Sequence, residues 1–164
     1  MAFDWPFAKK QSKVLSRKFQ WIHTLDSTEL AEKLEARSAF AQKKINVLLQ
    51  VNLSREITKS GLHDWEDILQ VSETILSGKW LKLRGLMTIP APNIGETPTR
   101  KLYEKLRVWR DKLQQELDSA EITELSMGMT ADFHWAIQEG ATMIRVGSAI
   151  FGERNEKMDR PTNT

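Results

Sequence analysis

The sequence contains no cysteine, and this absence excludes several kinds of functional site. Without a thiol the chain can build no disulfide framework, no cysteine-ligated zinc centre and no thiolate nucleophile. It also lacks any apolar run of roughly 18 residues, the length that a membrane-spanning helix requires. The first residues do not contain the apolar segment of a secretory signal peptide. We therefore expect a cytoplasmic protein with no membrane partner.

A strong charge of one sign is also missing. The chain has 24 lysine and arginine residues against 22 aspartate and glutamate residues, a formal net charge of +2. Five basic residues occur in KKQSKVLSRK at 9–18, but a solvated helix face explains them better than a nucleic-acid patch. His23 is more typical of a hydrogen-bonded strand residue than of a ligand or base, and no histidine has a metal-ligand spacing. We expect neither a nucleic-acid partner nor a metal.

Strand patterns alternate with helical patterns over the whole length of the chain. Apolar and β-branched segments predict strands at 20–25, 45–53, 81–89, 122–129 and 142–147, with a doubtful one at 2–7. A complete (β/α) barrel has eight strands and takes about 250 residues. The predicted fold class is therefore α/β, an incomplete TIM-type barrel that lacks the first strands.

The same pattern predicts how the chain is divided. We expect residues 1–164 to form one domain around a parallel sheet, with a frayed polar tail at 155–164. An incomplete barrel leaves two strand edges and apolar surface uncovered, which favours self-association.

Capping residues predict three helix starts. Asp26 followed by Glu29 forms a capping-box pattern. Thr97 with Pro98 is typical of an N-cap followed by a first-turn proline, and it begins the longest helix. Thr130 offers an N-cap oxygen to a short helix.

Residues 125–152 contain a complete strand–helix–strand unit with a glycine at each exit. Gly147 and Ser148 follow the second strand and open another helical turn, where free N–H groups and the helix dipole favour an anion. Ser126 and Gly128, at the end of the preceding strand, would lie beside the same point. The alternative interpretation is an ordinary strand-to-helix turn.

Arg145 is unusual inside an otherwise apolar strand, because a buried charge without a partner is costly. It precedes Gly147 by two residues and therefore points to the same side of the strand. The alternative is a structural ion pair at the barrel rim. Met127, with Met87 and Met129, could form an apolar wall beside a ring, although packing explains methionines at strand ends as well.

The segment LSMGMTADFHWAIQEGATMIRVGSAIFG at 125–152 resembles the signature of the pyridoxal phosphate homeostasis protein family, the YggS/PROSC type. Three further segments resemble this family in the same order, at 21–26, at 47–53 with 59–61, and at 83–92. The likeness extends over residues 12–154. It implies a barrel like the alanine racemase N-terminal domain, with pyridoxal 5′-phosphate (PLP) as cofactor.

By this resemblance Ser126, Gly147 and Ser148 would hold the phosphate of PLP, and Arg145 would lie near the pyridine nitrogen. Ser148 stands where the family more often has threonine, which keeps the hydroxyl. The predicted cofactor-binding set is Ser126, Met127, Gly128, Arg145, Gly147 and Ser148.

The Schiff-base lysine of the family has no counterpart that we can assign. The family places it at the end of the first strand, in an apolar run ending in Ser-Lys, and no such strand precedes residue 12. Lys59 belongs to a Lys-Ser-Gly loop instead. Asn52, just before that loop, could face the ligand or satisfy the backbone. The candidate substitutes for the lysine are Lys9, Lys10, Lys13 and Lys59.

The resemblance implies a non-catalytic PLP-binding protein of intracellular PLP homeostasis, with PLP-dependent enzymes as candidate clients. An alternative is a truncated member that keeps the phosphate cradle and has lost covalent PLP binding. A racemase-type PLP enzyme is less well supported, because it needs the lysine and a base on the opposite face. The one tyrosine, Tyr103, is assigned to an outer helix.

Overall fold

A parallel sheet of six strands organises the chain. The computed structural model describes residues 2–3, by their backbone, and residues 19–54, 56 and 59–152. The strands pair in chain order, and every pair is parallel. They are β1 (Ala2–Phe3), β2 (Trp21–Leu25), β3 (Ile45–Gln50), β4 (Leu81–Met87), β5 (Glu124–Met129) and β6 (Met143–Arg145).

Helices provide the crossovers that parallel strands require. One helix joins each pair of consecutive strands from β2 to β6, and a last short helix follows β6. The helices are α1 (Thr28–Ala41), α2 (Trp65–Ser77), α3 (Glu96–Glu116), α4 (Phe133–Gln138) and α5 (Ser148–Phe151). The predicted α/β class and the arc of a barrel are confirmed.

The predicted strand positions are confirmed as well. Each of the five clear strand predictions contains an observed strand, and the doubtful one at 2–7 contains the two residues of β1. The basic segment 9–18 and the polar tail at 155–164 lie outside the described residues. The division into a single domain stays a prediction.

The hydrophobic core lies between the sheet and the helices. It includes Val47 of β3 and Leu86 of β4, which pack in one cluster with Leu34 of α1, Ile68 of α2 and Leu106 of α3. Strand β3 is apolar over most of its length because residues on both of its faces are buried, as is usual for a central parallel strand.

The start of α1 differs from the capping-box prediction. Ser27, rather than Asp26, is the N-cap, and its hydroxyl accepts the N–H of Leu30 at 3.3 Å. Asp26 is one residue too early for this role, and burial raises the pKa of its carboxyl. Glu29 does form the expected pair with Lys33, four residues further on, at 2.6 Å.

The starts of α3 and α4 also differ from prediction. Gly95, with φ of 89°, is the N-cap of α3, so Thr97 and Pro98 lie within its first turn. Helix α4 begins at Phe133 with Asp132 at its N-cap. Thr130 lies in the preceding turn, and its hydroxyl accepts the N–H of Gly147 instead.

The start of β4 is held by a carboxylate from α1. Glu35 accepts hydrogen bonds from the backbone N–H groups of Lys79 at 2.6 Å, Trp80 at 3.0 Å and Leu81 at 2.9 Å. A Cβ at Gly78 would lie 2.5 Å from the Glu35 carboxyl carbon, so glycine leaves the room that the carboxylate occupies. Hydrogen bonds to an ionised acceptor are stronger than neutral ones. Glu35 therefore anchors α1 to the sheet.

We expect Glu35→Ala to lower the free energy of unfolding by about 1–3 kcal/mol, because three backbone donors lose their charged acceptor. Urea denaturation followed by circular dichroism measures this change. Glu32→Ala, at an exposed position of α1, is the matched control and should change stability by less than about 0.5 kcal/mol. Equal losses in the two variants would contradict the anchoring role.

Candidate cofactor-binding site

The carboxyl ends of the strands meet at one edge of the sheet, where Ser126 connects two other site residues. Ser126, on β5, is fully buried. Its Oγ accepts a hydrogen bond from Nη1 of Arg145 on β6 at 2.7 Å. The Nδ1 atom of His23 on β2 lies 3.0 Å from the same Oγ. The structure thus brings Ser126 and Arg145 together as predicted, and it adds His23 to them.

The guanidinium of Arg145 reaches a third strand. Its Nη2 donates to the carbonyl oxygen of Thr88, the residue that follows β4, at 3.0 Å. Thr88 is buried, and its own hydroxyl donates to the carbonyl of Val51 just beyond β3 at 2.8 Å. Both of these acceptors, the Ser126 hydroxyl and the Thr88 carbonyl, are neutral oxygens.

Gly147 and Ser148 lie on the open side of the same edge. Gly147 is the N-cap of α5, and nothing lies within 4 Å of the position that a Cβ would take there. Its N–H donates to the hydroxyl of Thr130 at 3.3 Å. Ser148 is exposed. The loop after β5 and the loop after β6 are therefore in contact beside an accessible backbone.

Two members of the predicted set have packing roles in this structure. The Met127 side chain is fully buried in the core cluster. Gly128 has φ of 92°, and a Cβ there would lie 2.6 Å from Cβ of Ala136 in α4. Glycine therefore lets α4 pack closely on β5. A cofactor contact for these two residues stays a prediction.

Tyr103 was missed because its backbone belongs to the outer helix α3. Its side chain is fully buried, and its hydroxyl donates to Oδ2 of Asp132 at 2.9 Å. Burial, followed by the Asp132 carboxylate, raises the pKa of Tyr103, whereas the charge of Arg145 opposes the rise. The signal was present in the sequence: Thr99, Tyr103 and Leu106 have helical spacing, and all three are buried.

Asn52 and Lys59 have structural partners at the same edge. The Asn52 amide donates to the carbonyls of Glu56 at 2.9 Å and Lys59 at 3.0 Å, so it satisfies the backbone of its loop. The Lys59 ammonium lies 2.8 Å from a Glu56 carboxylate oxygen and donates to the Pro90 carbonyl at 3.1 Å. Lys59 also lowers the pKa of Glu56. The other candidate lysines, at 9, 10 and 13, lie outside the described residues.

Two further findings concern the described part of the chain. None of its helices is long and apolar enough to cross a membrane. Its histidine, aspartate and glutamate side chains form no group of three or more that could hold a metal ion.

The family model described as "Alanine racemase, N-terminal domain" matches residues 1–155. The chain belongs to this family. The pyridoxal phosphate homeostasis protein of Pasteurella multocida is 38% identical over 153 residues, which are 93% of this chain and 65% of that protein. The protein of the same name from Aquifex aeolicus is 40% identical over 142 residues, or 87% and 61% of the two chains. This chain thus spans just under two thirds of the length of these relatives.

Solved structures agree with this assignment. PipY of Synechococcus elongatus, solved with PLP bound, has a TM-score of 0.85 at 31% identity, covering 92% of this chain and 69% of PipY. Alanine racemase of Clostridium difficile in complex with cycloserine has a TM-score of 0.72 at 18% identity, covering 95% and 42%, and shows a shared fold. The resemblance predicted from residues 125–152 is confirmed.

Because Tyr103 is the only tyrosine of the chain, its titration can be followed directly. Its pKa is raised from 10.0, so the folded chain should form no phenolate near pH 10, whereas the unfolded chain should form it there. The stabilising contribution is complete below this pH and is lost above it, so the unfolding free energy should fall as pH rises.

Near-ultraviolet absorbance with and without urea measures this phenolate. Urea denaturation between about pH 9 and about pH 11 measures the stability, and Tyr103→Phe should have a shallower pH dependence. A phenolate transition of the folded chain at the ordinary tyrosine pKa would contradict the buried hydrogen bond.

Proposed function

We propose that this chain is a non-catalytic PLP-binding protein that acts in cytoplasmic homeostasis of the cofactor. The observation that carries this proposal is the connected group of Arg145, Ser126 and His23 at the carboxyl edge of the sheet, beside the exposed backbone of Gly147, which Thr130 holds in place. The names of the relatives and the bound PLP in PipY support the same ligand.

The donors present fit the two ends of PLP. A phosphate dianion needs N–H and O–H donors, and the Ser148 N–H with the hydroxyls of Ser126 and Ser148 would supply them. Gly147 donates its N–H to Thr130 and, without a side chain, leaves room for a phosphate to approach. The Arg145 guanidinium is a permanent cation beside the place where a pyridine ring would lie. PLP contributes a reactive aldehyde when it is bound, whereas these side chains bind and orient it. Each hydrogen bond to a charged group is worth about 1.5–3 kcal/mol.

The contacts of two residues support a non-catalytic role. A racemase needs proton-transfer groups on both faces of the cofactor. The Tyr103 hydroxyl donates to Asp132 and has a raised pKa, so it does not act as a base at neutral pH. Lys59 is engaged by Glu56 and by the Pro90 carbonyl. The engaged Lys59 also favours our second candidate function, a phosphate cradle without covalent attachment.

We expect the purified chain to bind PLP saturably, and Ser126→Ala to weaken binding about tenfold, since it removes a hydroxyl worth about 1.4 kcal/mol. Quenching of tryptophan fluorescence measures the affinity. Ser38→Ala, which also removes a fully buried hydroxyl but lies on α1, is the control.

Borohydride reduction followed by peptide mapping separates the two candidates. A single modified lysine, at position 9, 10, 13 or 59, would support covalent binding of the cofactor. Saturable binding without modification would support the phosphate cradle alone. No saturable binding would contradict both.

We propose two kinds of macromolecular partner, PLP-dependent enzymes that receive the cofactor and a second copy of this chain. The second rests on the edge formed by β6 and α5, where Ile144, Ile150 and Phe151 are exposed by 41%, 67% and 85%. Among the described strands β6 lies at one end of the sheet, and a strand edge next to exposed apolar side chains favours association.

Sedimentation velocity should therefore show a concentration-dependent dimer that Phe151→Glu shifts toward monomer, because a charge is costly in an apolar contact. Phe40→Glu is the matched control, since Phe40 is 77% exposed but lies on α1. A wild-type chain that stays monomeric at all concentrations would contradict self-association, as would equal effects of the two variants.

A further inference from the structure

A buried phenol connects the outer helix α3 to the loop that follows β5. The Tyr103 hydroxyl donates to Oδ2 of Asp132 at 2.9 Å. The charge of Arg145 lowers the pKa of Tyr103, against the larger effects of burial and Asp132. Tyr103 thus contacts the loop after β5 although its backbone lies in the outer layer.

The carboxylate of Asp132 has a second contact, which fixes the turn itself. Its Oδ1 accepts the N–H of Met129 at 2.6 Å, and the N–H of Asp132 donates to the Met129 carbonyl at 3.1 Å. Residues 129–132 therefore form a turn that is closed by backbone and side chain together. The Tyr103 hydroxyl donates to Oδ2, the other oxygen of the same carboxylate. The orientation of the turn therefore depends on α3.

This turn carries the residue that contacts Gly147, in the loop where the phosphate would bind. Thr130 lies inside it, and the Thr130 hydroxyl accepts the N–H of Gly147 at 3.3 Å. The position of that N–H therefore depends on three successive hydrogen bonds that begin at Tyr103. A group that holds a binding residue through intermediates acts by preorganisation, since it lowers the cost of ordering the site.

We propose that Tyr103 and Asp132 are positioning residues for the phosphate end of the cofactor site. They set the turn at 129–132, and through Thr130, which accepts the Gly147 N–H, they set the position of the Gly147 and Ser148 backbone that a phosphate would meet. This inference rests on the proposed function and deepens it, because it assigns to this pair the selection of phosphorylated ligands over unphosphorylated ones.

The test compares PLP with pyridoxal, which lacks the phosphate. Tyr103→Phe keeps the buried ring and removes the hydroxyl. It should weaken PLP binding about threefold to tenfold while the affinity for pyridoxal stays unchanged. The inhibition constant of inorganic phosphate, measured in competition with PLP, should also be higher for this variant than for the wild type. Fluorescence quenching with each ligand gives the ratio of the two affinities.

The matched control is Thr99→Val, one turn earlier on α3. Thr99 is buried like Tyr103, and its hydroxyl donates to the Gly95 carbonyl at 2.7 Å, within the start of the helix. The control should lose stability and keep the ratio of PLP to pyridoxal affinity. Asp132→Asn keeps an oxygen for the Met129 N–H and an amide that can bond the Tyr103 oxygen, so its ratio should be close to that of the wild type.

The outcomes separate this inference from the proposed function. If the wild-type chain binds no PLP, the proposed function is wrong. If the wild type binds PLP and Tyr103→Phe has the same affinity ratio, or weakens both ligands equally, the positioning role is wrong. If Tyr103→Phe does not fold, Asp132→Ala must lower the ratio, and an unchanged ratio in that variant overturns the inference.

Discussion

A half-buried guanidinium joins three strands at the carboxyl edge of the sheet. Arg145 on β6 donates to Ser126 on β5 and to the Thr88 carbonyl beyond β4, and the Thr88 hydroxyl bonds the Val51 carbonyl beyond β3. Withdrawing a cation from water is costly unless oxygen acceptors surround it. Residues of β5 and from just beyond β4 supply the acceptors for this arginine, and Thr88 extends the contact to the end of β3. Any ligand at this edge meets a surface that is already polarised by one positive charge.

The architecture could be predicted from the sequence because it depends on local patterns. Alternation of apolar strands with amphipathic helices locates the strands from β2 to β6, and parallel pairing follows from the helical crossovers. Exact helix starts were less accessible. Asp26 and Ser27 are both good N-cap residues in adjacent positions, and only the backbone conformation of Ser27 decides between them.

The part of the candidate site that lies on neighbouring strands could be predicted from the sequence. The contacts between side chains that are distant in the sequence could not. Ser126 lies within β5, rather than at its end, and Arg145 is the last residue of the neighbouring β6, so their proximity follows from the parallel pairing of the two strands. His23 and Ser126 are 103 positions apart, and no local pattern reports their contact. Tyr103 and Asp132, 29 positions apart, meet only because α3 turns its tyrosine toward the sheet.

The sequential order of the strands has a consequence for how the chain folds. Because each strand pairs in parallel with the strand that precedes it in the chain, every pairing from β2 to β6 requires that a helical crossover first be closed. Parallel pairing of this kind forms slowly, because loop-closure entropy is lost before the strand contacts stabilise the pair. The His23–Ser126 contact spans 103 positions and joins β2 to β5 across the intervening strands β3 and β4. The binding edge is therefore complete only when β2 and β5 are both in place in the sheet.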